Sequence, residues 1–402
     1  MNKKVSLGIC ISLVIIAITA TFAITMVVSS RIYDGIISGL SQRTGNYKSI
    51  EEIEKIVNAD FYGNYDTQNY YLSRSLAEGY IRGLGDANSR YLDSEEYEDY
   101  TSKLEGGVTG IGVETAFDYY TGNFVITHVY ESSPAEKAGL KALDVITAIA
   151  GVPVDRMNYE TLQENLYGDR LTAVKVEYER DGETKVVEPM LGFRIPSVSG
   201  KLENNVGYIK IRGFYKNTAS EFKEAAEKLI EEGADSIILD VRDTSDGTIA
   251  YAAQVIDVIV PNVQGNIAVL KDKNGNVYKD SIYTAESSSI TLPYVVLING
   301  GTSGPAELFA CNLRDICQAE LVGTKTAGNG TSQALYALDE GGAVLLTVAI
   351  VEPQKGADAV YHEKGVEPTK EVNLMTGNEI DIELLTAEQD NQYITAFNML
   401  TA

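Results

Sequence analysis

The sequence predicts a multidomain protein of mixed α+β and α/β class: an N-terminal transmembrane helix, a helical arm, a small β-rich domain and an α/β core. Three observations predict it. An uncharged run from Val5 to Ser30 is long enough to span a bilayer core, which takes about 20 apolar residues as a helix. Between about residues 105 and 191, apolar and polar residues alternate over short stretches, the period of half-buried strands. From about 192 onward, short apolar runs alternate with helix-period segments, the pattern of a sheet covered by helices.

The first element, residues 1–31, is expected to be an uncleaved anchor. Lys3 and Lys4 precede the 26-residue run and Arg31 closes it. A cleaved signal peptide has an apolar region of about 7–15 residues and a small-x-small site. This run is longer and contains no A-x-A triplet. The two early lysines set the N-terminus in the cytoplasm, which places the bulk of a single-pass cell-membrane protein outside it.

Residues 32–104 read as a helical, acidic arm, with Leu72, Leu76, Tyr80 and Ile81 spaced as one buried stripe and a turn at Gly85-Asp86-Ala87-Asn88-Ser89. Residues 105–191 carry alternating strands such as Phe124–Val129 and Ala173–Tyr178, with one helix near Tyr159–Leu166.

The core, residues 192–402, starts with a strand at Val206–Ile211. A helix from Thr218 to Ile230 follows, with Thr218-x-x-Glu221 as a capping box and Phe222, Ala225, Ala226, Leu229 and Ile230 on one face. Ser236–Val241 and Tyr294–Ile298 are buried strands, and Thr248–Ile259 is a helix. Asn274-Gly275 turns a hairpin between Ile267–Leu270 and Val277–Tyr278. After Gly300-Gly301-Thr302-Ser303-Gly304 comes a helix from Pro305 to about Ile316, then strands at Leu321–Val322 and Ala343–Val351.

Composition excludes several functions. The formal charge is −24, with 33 Lys and Arg against 57 Asp and Glu, so the surface repels nucleic acid and anionic lipid headgroups. Only His128 and His362 are present, too few for a histidine-rich metal site, and no cofactor or metal is expected. Cys10, Cys311 and Cys317 form no disulfide framework.

Several motifs carry a family likeness. Glu131-Ser132-Ser133-Pro134-Ala135-Glu136-Lys137-Ala138-Gly139-Leu140, followed by Asp144-Val145-Ile146, resembles the middle of a bacterial PDZ domain. Gly110, Ile111, Gly112 and Val113 stand where such domains hold a peptide's terminal carboxylate, in a loop whose successive N–H groups form an anion nest beside an open strand edge. Over residues 32–400 the chain is similar to the C-terminal processing peptidases, or tail-specific proteases, through Gly83-Leu84-Gly85-Asp86, Leu239-Asp240-Val241-Arg242, Val296-Leu297-Ile298-Asn299, Gly330-Thr331-Ser332-Gln333 and Gly365-Val366-Glu367-Pro368. The resemblance implies a PDZ β-domain on a crotonase-like α/β core, serine-type endopeptidase chemistry with a lysine base, and peptide or protein C-termini as partners.

Where that chemistry is implied, the residues differ. The family's serine nucleophile falls at Gly304, its lysine base at Asn329, and a glutamine that helps hold the lysine is retained as Gln333. Glycine has no hydroxyl, and an asparagine amide takes up no proton near neutral pH. Asp243-Thr244-Ser245-Asp246-Gly247 replaces a family loop of Asn-Asn-Pro-Gly-Gly beside the active site, and Asp246 there opposes a developing oxyanion. Ala142-Leu143 replaces a Pro-Gly turn before Asp144.

Three functions are compatible with this reading. The first is a catalytically defective, membrane-anchored protein that binds peptide tails or regulates an active homologous peptidase. The second is an active endopeptidase using the shifted pair Ser303 and Lys325, although Ser303 has a plainer role as a helix N-cap and Lys325 as a surface charge. The third is a structural cell-envelope protein.

Overall fold

The computed structural model describes residues 48–63, 69–168, 172–260, 266–285, 290–375 and 382–401. The expected anchor at 1–31 lies outside these residues, and among the described ones no helix is long and apolar enough to cross a membrane. The chain divides into two units, 1–77 and 78–402. Helix α1 spans 48–60, and the boundary between units falls within α2 (Asn69–Arg82). The stripe expected to be buried is largely exposed: Leu72 is 39%, Leu76 45% and Tyr80 59% accessible, and only Ile81 is buried. Helical spacing gathers apolar residues on one face, but it does not supply the surface that covers them.

The arm is also not wholly helical. Arg90–Leu92 forms a short strand, β1, before α3 (Ser94–Gly106). Asp93 starts α3 with a reciprocal cap: its carboxylate accepts the Glu96 N–H, and Glu96 accepts the Asp93 N–H, each at 2.9 Å.

The β-rich domain contains β2 (Thr109–Gly110), β3 (Val113–Asp118), β4 (Asn123–Val129), the short α4 (Pro134–Lys137), β5 (Val145–Ile149), β6 (Val152–Pro153), α5 (Tyr159–Glu164), β7 (Val176–Arg180) and β8 (Glu183–Val187). Its sheet runs in the order β3-β4-β5-β7-β8, leaving β3 at one edge. Alternation sends Phe124, Ile126, Ile146, Ile149, Val176 and Tyr178 into a single core. The turn before Asp144 has a leucine in a left-handed position. Leu143 takes φ 73° while 82% exposed, and its N–H donates to the Ile126 carbonyl at 2.7 Å. A non-glycine residue in that region costs about 1 kcal/mol. Asp144 itself is buried and held by Arg180.

The chain crosses to the core through β9 (Phe193–Arg194), which pairs with β2. There follow β10 (Val198–Glu203), β11 (Val206–Ile211), α6 (Thr218–Glu231), β12 (Ser236–Asp240), α7 (Ile249–Ile259), β13 (Asn266–Lys271), β14 (Val277–Thr284) and β15 (Tyr294–Ile298). The last elements are α8 (Pro305–Cys317), β16 (Glu320–Gly323), β17 (Thr331–Ala337), β18 (Ala343–Pro353), β19 (Lys370–Glu371) and α9 (Asn391–Thr401). One sheet has the order β10-β11-β12-β15-β16-β19, parallel from β11 onward. The second has the order β1-β18-β13-β14, with β17 also on β18. Helices α6, α7 and α8 bury Phe222, Leu229, Ile256 and Phe309 in the main core, and α9 covers the other face through Tyr393 and Ala396. The fold is therefore a β-rich domain joined to a mixed α/β core.

The capping box expected at Thr218 and Glu221 is not formed. Asn217 precedes the helix, and the buried Thr218 hydroxyl instead accepts the Tyr215 N–H at 2.9 Å. Glu221 turns to the incoming linker, accepting the Ser197 N–H at 2.7 Å and pairing with Arg194. The linker's donors are brought close by tertiary folding, and a local motif cannot anticipate them.

Beneath the parallel sheet lies a buried ionic network. Arg242 pairs with Asp240 at 2.6 Å and Asp390 at 2.8 Å and donates to Gln392 at 3.0 Å, while Lys210 lies 3.5 Å from Asp240. Burial alone would raise the Asp240 carboxyl, but Arg242 and Lys210 outweigh it and hold it far below the ordinary carboxylate value.

Candidate functional site

Helix α8 begins at the end of the apolar strand β15, and the loop between them sets the site. Thr302 donates its hydroxyl to the Val241 carbonyl at 2.8 Å, and the Ser303 N–H donates to the Thr244 carbonyl at 2.9 Å, tying the loop to the segment after β12. Gly304 is the N-cap with φ 59° and ψ −114°, a backbone that a side chain rarely tolerates. Ser303 is thus not the cap, and its hydroxyl holds no helix N–H. The cap function passes to Glu307, which accepts the Gly304 N–H at 3.0 Å.

Glu307 is the hub of this region. Its fully buried carboxylate also accepts the N–H groups of Gly328 at 2.7 Å and Asn329 at 2.8 Å and the Thr326 hydroxyl. Four donors on one carboxylate pin the 326–329 loop to the N-terminus of α8, where the helix dipole also favours negative charge. Tyr361, fully enclosed, donates to the Gly304 carbonyl at 3.3 Å. Burial, with the neighbouring Glu307 charge, pushes its phenol well above the ordinary value.

This scaffold brings the two positions of interest together. A Cβ on Gly304 would stand 3.7 Å from Asn329 Nδ2 and 3.9 Å from the Ser245 carbonyl oxygen, ordinary contact distances. Around Asn329 runs a chain of neutral hydrogen bonds. Asn88 Nδ2 donates to Asn329 Oδ1 at 3.1 Å and to Thr331 Oγ1 at 3.2 Å, and Thr331 donates to Asn329 Oδ1 at 2.8 Å. Gln333 donates to Thr331 at 2.8 Å and Thr347 at 3.2 Å, so it belongs to this network. One carboxylate borders this network: Asp86 accepts the Asn88 N–H at 3.3 Å and is hydrogen-bonded to Thr347. Pro305, the first helical residue, contributes no N–H where the residue after a nucleophile would supply an oxyanion donor. That loss is legible in the sequence as a proline directly after Gly304. Asn88 is not legible, because it lies 241 residues away along the chain.

Lys325 is directed elsewhere. Its Nζ pairs with Glu367 at 2.7 Å on a side chain 51% exposed. Asp246 is likewise engaged, by Lys103 at 2.6 Å and the Tyr215 hydroxyl at 3.3 Å, and it is the Ser245 carbonyl that approaches Gly304. His128 lies in β4 and His362 in a late loop beside Gly330.

In the β-rich domain, Gly110, Ile111, Gly112 and Val113 are buried where β2 gives way to β3. Gly112 has φ 89°, and a Cβ there would stand 2.3 Å from Ser133 Cβ. The Ile111 N–H donates to the Leu166 carbonyl at 3.0 Å, so one donor of the expected nest is used internally. Helix α5 lies along the β3 edge: Gln163 donates to the Thr115 hydroxyl at 3.0 Å and Tyr159 stacks on Phe117 with centroids 4.3 Å apart. Between this edge and the core is a cavity of about 590 Å³, with Val113, Glu114 and Gln163 on one side and Arg212, Tyr215 and Asp246 on the other.

Comparison with known proteins accounts for the two-part construction. Residues 107–189 match the PDZ domain family, and residues 205–372 match peptidase family S41. The chain is 30% identical over 366 residues to the carboxy-terminal processing protease CtpA of Bacillus subtilis, covering 90% of this chain and 76% of that one. It is 28% identical over 362 residues to a protein named as a CtpA-like serine protease in Staphylococcus aureus, covering 88% and 71%. Among solved structures, an S41 protease from Bacteroides fragilis superposes with a TM-score of 0.57 at 16% identity, over 85% of this chain and 91% of that one, a likeness of fold. The chain belongs to the C-terminal processing proteases of peptidase family S41 and carries their PDZ domain.

Proposed function

We propose that this protein is a catalytically defective member of its family, anchored in the cell membrane by residues 1–31 with its folded part outside the cytoplasm, and that it binds peptide or protein C-termini. The observation that carries the reading is the pairing of Gly304 with Asn329. Serine attack needs a hydroxyl and a base that removes its proton. The residues at the two facing positions offer neither, and the Asn329 side chain is bonded to an amide, Asn88, and a hydroxyl, Thr331. Pro305 supports the same reading, since loss of one oxyanion donor alone costs about 100- to 1,000-fold in rate.

The rival reading, an active endopeptidase using Ser303 and Lys325, is disfavoured by the pairing of Lys325 with Glu367. A serine-directed covalent probe separates the two. No labelling of the parent protein is expected; labelling that disappears in a Ser303→Ala variant would establish the shifted dyad instead. The anchor is tested by membrane fractionation with and without residues 1–31. The full chain is expected in the membrane fraction and the shortened chain, which loses its export segment as well, in the soluble cytoplasmic fraction; an unchanged distribution would argue against the anchor.

A further inference from the structure

The cavity between the PDZ domain and the core contains a cation for which no role has been assigned. Arg212 follows β11, and its side chain is only 24% exposed. Nη2 donates to Glu114 at 2.7 Å and Nη1 to the Ser199 hydroxyl at 2.8 Å. A guanidinium has five N–H donors, so two bonds do not exhaust it. Nearby, Arg242 shows what a buried arginine in this core accepts: two carboxylates, Asp240 and Asp390, on one guanidinium. Arg212 has one carboxylate at bonding distance, a second, Glu383, acting through space, and the cavity in front of it. Glu114 also accepts the Tyr130 hydroxyl, so it keeps a donor if Arg212 shifts its weight.

We propose that Arg212 is the anchor for the terminal carboxylate of a bound peptide, which enters the cavity between Val113 and Gln163 and shares the guanidinium with Glu114. This deepens the peptide-binding reading above and rests on it. It moves the carboxylate contact from the Gly110–Val113 loop, whose Ile111 N–H is already committed, to a charge-assisted pair on the core side. The lining also carries Glu160 and Glu164, while Asp246 is already paired with Lys103, so a peptide with a basic side chain upstream of its terminus complements the two glutamates.

The test uses the full chain and two fluorescent hexapeptides of one sequence, with an apolar last residue and an upstream lysine, one a free acid and the other a C-terminal amide. Anisotropy titration is expected to show the acid binding about tenfold or more tighter than the amide, the size of one charge-assisted hydrogen bond. Arg212→Met is expected to remove that preference, and Glu114→Gln, which frees the guanidinium, to tighten acid binding several-fold. Equal binding of acid and amide by the parent overturns the proposal and leaves peptide binding standing. So does a preference that survives Arg212→Met, which returns the carboxylate to the Gly110–Val113 loop, or acid binding that Glu114→Gln does not tighten. If neither peptide binds, the peptide-binding reading fails, and the proposal with it.

Discussion

Glu307 and the pair Gly304 and Asn329 lie within one turn of α8 and the loop beside it, yet they stand in opposite conditions. Glu307 holds four donors, three of them backbone N–H groups, and so fixes the position of two chain segments. Gly304 and Asn329 occupy positions those segments define, but Gly304 has no side chain and Asn329 bonds mainly to other neutral groups. A structural carboxylate thus fixes the two segments, and neither Gly304 nor Asn329 contributes a side chain to that hub.

The largest expected effect breaks the hub. Glu307→Ala leaves four donors without their acceptor in a buried site and should destabilise the core by about 4 kcal/mol or more, read as a fall in urea midpoint or failure to fold. Glu307→Gln, which retains one acceptor oxygen, should cost less.

The ionic network under the sheet gives the next effect. The folded Asp240 carboxyl lies below its unfolded value, so its stabilisation is complete above the ordinary carboxylate range and is lost as pH falls through about 4 and below. Urea midpoints measured between pH 7 and 3 should fall most steeply at the acid end. In Asp240→Asn that dependence should be shallower and overall stability lower by a few kcal/mol, because Arg242 keeps only Asp390. An unchanged acid slope would mean that other carboxylates dominate.

Gly304→Ala should cost only about 1–2 kcal/mol, the strain of φ 59°, since its Cβ meets nothing closer than 3.7 Å. Gly304→Ala should thus cost far less than Glu307→Ala, and equal losses would mean that Glu307 does not hold the two segments. Smallest is Leu143→Gly, expected to stabilise the PDZ domain by about 1 kcal/mol through relief of its left-handed backbone.

Much of the fold was legible because it rests on local pattern. Val206–Ile211 and Tyr294–Ile298 are apolar runs that became strands of the parallel sheet, and Asn274-Gly275 lies between the paired β13 and β14. Elements whose reasons are distant were not legible. β10 contains Gly200 and Lys201 and reads as a loop until β11 pairs with it, and β1 exists only because β18 lies beside it. Glu221 looked like a cap because its spacing is local, while its partners Ser197 and Arg194 are supplied by the linker. In the site, Gly304, Asn329 and Pro305 could be read directly from the chain. Asn88 and Arg212 could not, since one acts through a contact across the fold and the other through a cavity that two domains create together.

In the proposed reading the scaffold is intact and lacks a nucleophile, a base and, at Pro305, one N–H donor. This is tested by hydrolysis of an unfolded substrate with an exposed C-terminus, comparing the parent with Gly304→Ser/Asn329→Lys and with the same pair plus Pro305→Ala. No cleavage by the parent is expected, weak cleavage by the double variant, and roughly 100-fold more by the triple variant, which regains an N–H donor. Cleavage by the parent that survives Ser303→Ala would contradict the account outright, and three inactive but folded proteins would contradict the claim that the scaffold is intact.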